Sequence, residues 1–188
     1  MTDYFVLLGQ CRSPWLDPEE LKQAFHAKTL RQHPDVQGER QNDRSEGAFA
    51  ELNEAYQALR DPKRRLHHLL NLEGNAVNAQ TAAIPRDLEA LFPTIAELTH
   101  AVDALAQRLA ATSNQLVRSL ARPELTQTKT RLEETLATLT QLHESALTEL
   151  KAARETWSAD DVRDLYFRFS YLTRWMTQLK EKQLQLNV

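Results

Sequence analysis

Glycine is scarce in this chain. Four occur in 188 residues, Gly9, Gly38, Gly47 and Gly74, and the last 114 residues hold none. Glycine-rich phosphate loops are therefore excluded from the second half, because those loops need residues without a Cβ where backbone approaches phosphate. A hairpin-rich β structure is disfavoured there for the same reason. Cysteine is scarcer still. Cys11 stands alone, so there is neither an intrachain disulfide nor a cysteine-rich zinc site. Charge of one sign is also lacking. Residues 1–74 carry ten Lys/Arg against twelve Asp/Glu, and residues 75–188 thirteen against fourteen, for a net charge of −3. Neither half has the basic excess of a nucleic-acid binder. No apolar run approaches 18 residues, and the N-terminus has an acid at position 3 and no basic stretch. This predicts a soluble cytoplasmic protein with no membrane partner and no signal peptide.

What is present is helical patterning. Tyr4–Leu8 is a short apolar stretch closed by Gly9, compatible with a strand or a short helix. Asp17-Pro18 with Glu20 is a helix start, and the following segment places Leu21, Phe25 and Leu30 inward until Pro34 stops it. Residues 36–47 are polar and read as a loop. Phe49, Leu52, Tyr56 and Leu59 form the core stripe of a second helix. Asp61-Pro62 starts a third, basic helix ending at Gly74. Residues 75–85 are small, polar and uncharged, and read as a linker.

From Arg86 the chain reads as long helices. Leu88, Leu91, Ile95, Leu98, Val102, Leu105 and Leu109 mark the first, with Pro93 near its true first turn and Pro123 ending it or beginning the next. Leu132, Leu136, Leu139, His143, Ala146, Leu150, Ala153 and Trp157 mark the second. Ser158 and Asp161 form a capping-box-like pair that starts the third, whose stripe is Val162, Leu165, Phe169, Leu172, Met176 and Leu179. Such stripes on consecutive antiparallel helices pack as a left-handed bundle.

The chemistry-bearing element is His33-Pro34-Asp35, at the end of a helix bearing Lys22, His26, Lys28 and Arg31. Proline fixes a turn, and the carboxylate of Asp35 can accept charge-assisted hydrogen bonds from a partner's arginine. With DYFVLLG, LKQAFHAKTLRQHPD and FAELNEAYQALRDPKRR in order, residues 3 to about 72 resemble a J-domain, the co-chaperone module of the DnaJ family. Gln32 replaces the aromatic residue usual in that family, and Val36 replaces the usual lysine. The glycine-free second half and the phrase RRLHHLLNLEG at 64–74 look like the HscB type of co-chaperone.

That resemblance implies an all-α protein: an N-terminal J-domain helical hairpin (1–74), a linker (75–85) and a C-terminal antiparallel three-helix bundle (86–188). It implies a DnaK-type, HscA-like ATPase chaperone bound through His33, Pro34, Asp35, Lys22, Lys28 and Arg31. It further implies an IscU-like iron–sulfur scaffold protein as client. Leu91 and Ile95 match the family's first-helix pair, and Tyr171 matches its aromatic on the last helix. Phe92 is the alternative at the edge of the first stripe. Phe167, Tyr171 and Trp175 recur at i, i+4 and i+8, an aromatic row that something must cover. The family's acidic rim is reduced here to Asp103, beside Ala96 and Thr99. Leu91 and Ile95 also fit the core stripe, and the row on the last helix is equally compatible with packing inside the protein. No nucleophile–base set, metal pattern or cofactor loop is visible, so no enzyme, metal or cofactor is expected. The competing readings are a J-domain co-chaperone with another client, or an adaptor that self-associates through its bundle.

Overall fold

A computed structural model describes residues 1–32, 42–77 and 84–186. The described residues form eight helices and no strand: α1 (Tyr4–Leu8), α2 (Pro18–Gln32), α3 (Asn42–Arg60), α4 (Pro62–Leu72), α5 (Arg86–Glu89), α6 (Leu91–Ala110), α7 (Gln115–Ala152) and α8 (Ala159–Gln185). The chain divides into two compact units. One is Met1–Thr81 with Thr148–Tyr166, and the other is Ala82–Leu147 with Phe167–Val188.

In the first unit the apolar stretch after Asp3 is a helix rather than a strand. Asp3 caps it by accepting from the Phe5 and Val6 N–H groups at 2.9 and 3.2 Å. Gly9 stops it at φ +67°, and the Gly9 and Gln10 N–H groups close back on Val6 and Phe5. That φ favours glycine because a Cβ there meets its own backbone. Asp17 accepts from the Glu19 and Glu20 N–H groups and starts α2. Asp61 accepts from the Arg64 N–H at 2.8 Å and starts α4 with Pro62 in its first turn.

Helices α1, α2 and α3 pack on one another, with Phe25 stacked on Tyr56 at 4.4 Å. Phe5, Leu8, Leu21, Leu52, Ala55, Leu59, Leu66, Leu69 and Leu70 fill the core. Three expectations need correction. Helix α3 begins at Asn42, so the loop expected over 36–47 does not extend beyond 41. Leu30 is 70% exposed and Phe49 46% exposed, so neither belongs to the core stripes assigned to them. Helix α2 docks through the face that carries Leu21 and Phe25, and Leu30 lies about 180° round the helix from Leu21.

Two buried polar side chains tie the irregular N-terminal segment to α4. Arg65 is 3% exposed and donates to the carbonyls of Pro14 (2.7 Å) and Leu59 (2.6 Å). Burial lowers its pKa to about 10, against the attraction of Asp61, so the guanidinium stays charged at neutral pH. His68 accepts the Tyr4 N–H through Nε2 and stacks on the Tyr4 ring at 4.3 Å.

In the second unit the apolar 3-4 spacing buries Leu88, Ile95, Leu98, Val102, Leu105, Ala121, Leu132, Leu139, Leu172, Trp175, Leu179 and Leu186 in one cluster. Pro93 lies in the first turn of α6, after the break at Ala90, as its position suggests. Pro123 neither ends nor starts a helix: it sits inside α7. It is exposed there, so water can meet the carbonyl one turn earlier that proline leaves without a donor. The break lies instead at residues 111–114, where Asn114 accepts from the Leu116 N–H at 2.9 Å. Helix α7 ends at Ala152, so Ala153 and Trp157 fall beyond it. At the start of α8, Asp161 accepts from the Ser158 N–H and hydroxyl, and the Asp161 N–H donates to Ser158 Oγ at 3.1 Å. These bonds hold the Asp161 carboxyl below the usual carboxylate range.

Candidate functional site

The first candidate surface is the outer face of α2 and the segment that follows it in sequence. His33, Pro34 and Asp35 lie outside the described residues. Helices α2 and α3 flank them, ending at Gln32 and beginning at Asn42. Lys22 and His26 are exposed on α2, and Arg31 lies in its last turn. Lys28 is half-buried, its ammonium end 4.0 Å from where a Cβ on Gly9 would sit. Leu30 and Phe49 are two exposed apolar side chains on α2 and α3. Their exposure follows from the helical angle: Leu30 lies about 180° round α2 from Leu21, and Phe49 at the edge of the stripe of Leu52, Tyr56 and Leu59.

The second candidate surface belongs to the bundle. Asp87 pairs with Arg168 at 2.9 Å, the Gln178 amide donates to Thr99 Oγ1 at 3.3 Å, and Asp103 pairs with Lys182. These bonds set α6 and α8 parallel, with an offset of about eighty residues along the chain. Leu91 and Phe92 are then level with Tyr171, and Ile95 with Trp175. The structure divides the candidate residues sharply. Ile95 (3% exposed) and Trp175 (4%) are core. The row Phe167–Tyr171–Trp175 is accordingly not one exposed face. The Trp175 end turns inward because 3.6 residues per turn rotate an i, i+4 row steadily about the helix. Leu91 and Tyr171 are half-buried against the core, with Tyr171 tilted on the Trp175 ring at 5.5 Å. Phe167 is half-buried and Phe92 is 51% exposed. Asp103, expected as the remaining acid of the rim, is engaged by Lys182.

Other sites are less developed. A groove of about 330 Å³ in the first unit is lined by Tyr4, Lys63, Arg64, His67, His68 and Tyr166, among others. Arg64 there is paired with Glu54, and His68 is committed to the Tyr4 N–H. Among the described residues no three His, Cys, Asp or Glu side chains are grouped to hold a metal ion. No helix among them is long and apolar enough to cross a membrane.

Comparison with known proteins bears on both surfaces. Residues 3–68 match the family model of the DnaJ domain. A co-chaperone protein HscB homolog of Vibrio cholerae is 38% identical over 81 residues, covering 42% of this chain and 47% of that protein. The chaperone protein DnaJ of Caulobacter vibrioides is 42% identical over 65 residues, covering 35% of this chain and 16% of that protein. The chain thus spans less than half the length of these curated relatives. The solved structure of chaperone HscB from Vibrio cholerae is similar over 98% of this chain and 99% of its own, with a TM-score of 0.52 and 25% identity. That of human co-chaperone protein HscB is similar over 98% and 83%, with a TM-score of 0.52 and 18% identity, which is a likeness of fold. Residues 3–68 are therefore a J-domain, on a chain whose described residues are helical and whose fold is similar to that of HscB.

Proposed function

We propose that this protein is a co-chaperone. Its J-domain stimulates ATP hydrolysis by a DnaK-type, HscA-like chaperone, and its bundle delivers an IscU-like iron–sulfur scaffold protein to it. The observation that carries this reading is the likeness to HscB over nearly the full length of both chains, with a J-domain match over residues 3–68.

The chemistry of the first surface supports a docking role. Lys22, Lys28 and Arg31 present positive charge on one helix, which attracts an acidic surface and speeds encounter. The tripeptide His33-Pro34-Asp35 follows α2 in sequence, and the Asp35 carboxylate can accept charge-assisted hydrogen bonds from a partner's arginine. Leu30 and Phe49 supply exposed apolar area on α2 and α3. The protein then acts by favouring one arrangement of its partner, a coupling between sites rather than chemistry of its own.

For the client, Phe92, Leu91, Tyr171 and Phe167 form the grip. Ile95 and Trp175 back it from the core and fix the half-buried rings in place. With Asp103 engaged by Lys182, the contact is mainly apolar.

The test is a steady-state ATPase assay with the matched chaperone. His33→Gln and Asp35→Asn should each reduce stimulation at least tenfold, with the helical circular dichroism unchanged. Undiminished stimulation by both variants overturns the chaperone reading. For the client, Phe92→Ala and Tyr171→Ala should each weaken scaffold binding in titration calorimetry by about 1–3 kcal/mol. Unchanged affinity in both overturns the client face.

A further inference from the structure

Helix α4 carries a groove that neither proposed contact uses. It holds about 330 Å³, near the lower end of the range for small-molecule sites, about 300–1,000 Å³. Its floor is one face of the helix. Lys63, His67 and Asn71 recur at every fourth position, with Arg64 and His68 one position round. Tyr4 of α1, Glu54 of α3 and Tyr166 near the start of α8 stand along its sides, all within the first unit.

The groove is cationic at the start of α4. Lys63 is half-buried there and makes no ion pair or hydrogen bond among the described residues. Arg64 gives one of its five N–H donors to Glu54 at 2.5 Å and keeps others. The first turn of α4 contains no acid, and the helix dipole adds positive potential. Asp61, which caps that turn, is committed to the Arg64 N–H.

One turn further along, the groove is aromatic. The Tyr4 ring stacks on His68 at 4.3 Å, and the Tyr166 ring tilts on His67 at 5.6 Å. The Asn71 amide nitrogen lies 3.3 Å from His67 Nδ1 and steadies that ring. Four rings from three helices therefore line the groove about 6 Å along α4 from Lys63, at 1.5 Å per residue.

This division selects a ligand with two parts. The cationic end suits a phosphate, through charge-assisted hydrogen bonds. The rings offer stacking faces to a planar group. Inorganic phosphate leaves the rings unused, and an uncharged ring leaves Lys63 unpaired. The ribose of a nucleotide sets base and phosphate apart, as the offset requires, whereas in a phosphorylated tyrosine ring and phosphate share one oxygen. A nucleic-acid strand needs a longer row of cations than these two. We propose that the α4 groove binds a nucleoside monophosphate. Its phosphate sits on Lys63 and Arg64, and its base lies against the rings of His67 and Tyr166.

The test is isothermal titration calorimetry of the full chain with adenosine monophosphate at low salt. Binding should be saturable and tighter than that of inorganic phosphate or of adenosine. Lys63→Gln and His67→Ala should each weaken it about tenfold, as the loss of one charge-assisted hydrogen bond or one stacking face does. Circular dichroism should stay unchanged, since neither side chain is buried. Glu54→Gln should instead tighten binding, by releasing the Arg64 guanidinium and removing a carboxylate that repels phosphate. A purely structural pair would not produce that gain. Absence of binding, binding indifferent to Lys63→Gln and His67→Ala, no gain in Glu54→Gln, or phosphate binding as tightly as the nucleotide overturns the proposal. Tighter binding of phosphotyrosine overturns it in favour of a phosphorylated protein, and tighter binding of a deoxyadenosine octamer in favour of a nucleic-acid strand.

Discussion

The two units solve the problem of stability differently. The first uses short helices and irregular segments pinned by a few buried polar groups: Arg65 on Pro14 and Leu59, and His68 on Tyr4. The second uses long helices whose apolar stripes meet along their length, with ion pairs at the surface setting register. Apolar stripes distribute stability over many side chains. A buried polar pin concentrates it, because removing one donor leaves acceptors desolvated without a partner. A unit built from few turns has too little stripe to rely on alone, so the J-domain side of the molecule should be more sensitive to single polar substitutions than the bundle.

The sharpest way to break this contrast is Arg65→Met. It keeps the apolar stem but orphans two carbonyls, and should cost the first unit about 2–5 kcal/mol. Urea unfolding gives the total, and residue-resolved hydrogen exchange shows whether the loss stays in that unit. A loss under 1 kcal/mol would mean the pin is ornamental.

His68→Ala comes next, at about 2 kcal/mol, from the lost acceptor for Tyr4 and the lost ring stacking. Burial lowers the His68 pKa below its ordinary 6.5, with Asp3 opposing and His67 and Arg12 adding to the shift. A folded state that resists protonation is fully stable above about pH 6.5 and loses that contribution as pH falls below it. The wild type should therefore show a fall in stability from pH 7 to 5 that His68→Ala reduces. Parallel pH profiles for the two proteins would remove His68 from the account.

Asp61→Ala removes a helix cap in the first unit and should cost about 1 kcal/mol. The smallest effect belongs to the second unit. Asp103→Asn breaks the pair with Lys182, whose side chains are 40% and 16% exposed, and should cost under about 1 kcal/mol. A larger loss there than at Arg65 would invert the comparison.

Much of this architecture was legible in the residues, and for local reasons. Asp61-Pro62, Asp17-Pro18 and the Ser158–Asp161 pair act within a single turn, so they mark helix starts wherever they occur. The core of the bundle followed from spacing alone, since nearly every stripe residue found a neighbour. What escaped the sequence depends on where each position points and on partners far along the chain. Phe49 sits at the edge of its stripe and Leu30 on the far side of α2 from Leu21, so both are exposed, and Trp175 turns into the core although its spacing extends an outer row. Pro123 misled because a proline interrupts a helix only where no solvent-facing position can absorb it. Arg65 and His68 were invisible as pins, because their partners are backbone groups about fifty and sixty residues away.

Arg108 of α6 pairs with Glu124 of α7, so the start of α7, with the exposed Leu116 and Leu120, overhangs the end of α6 at Ala110. That register bears on how such a chain can vary over evolutionary time. Lengthening or shortening the loop between α6 and α7, or adding turns to both, alters only the overhang. It does not disturb the pairing of Asp87 with Arg168 or the level of Phe92 with Tyr171. Insertions and deletions are therefore tolerated at this end of the bundle and costly at the other, where each added residue would rotate a packed side chain by about 100°. Homologues should differ in length here first.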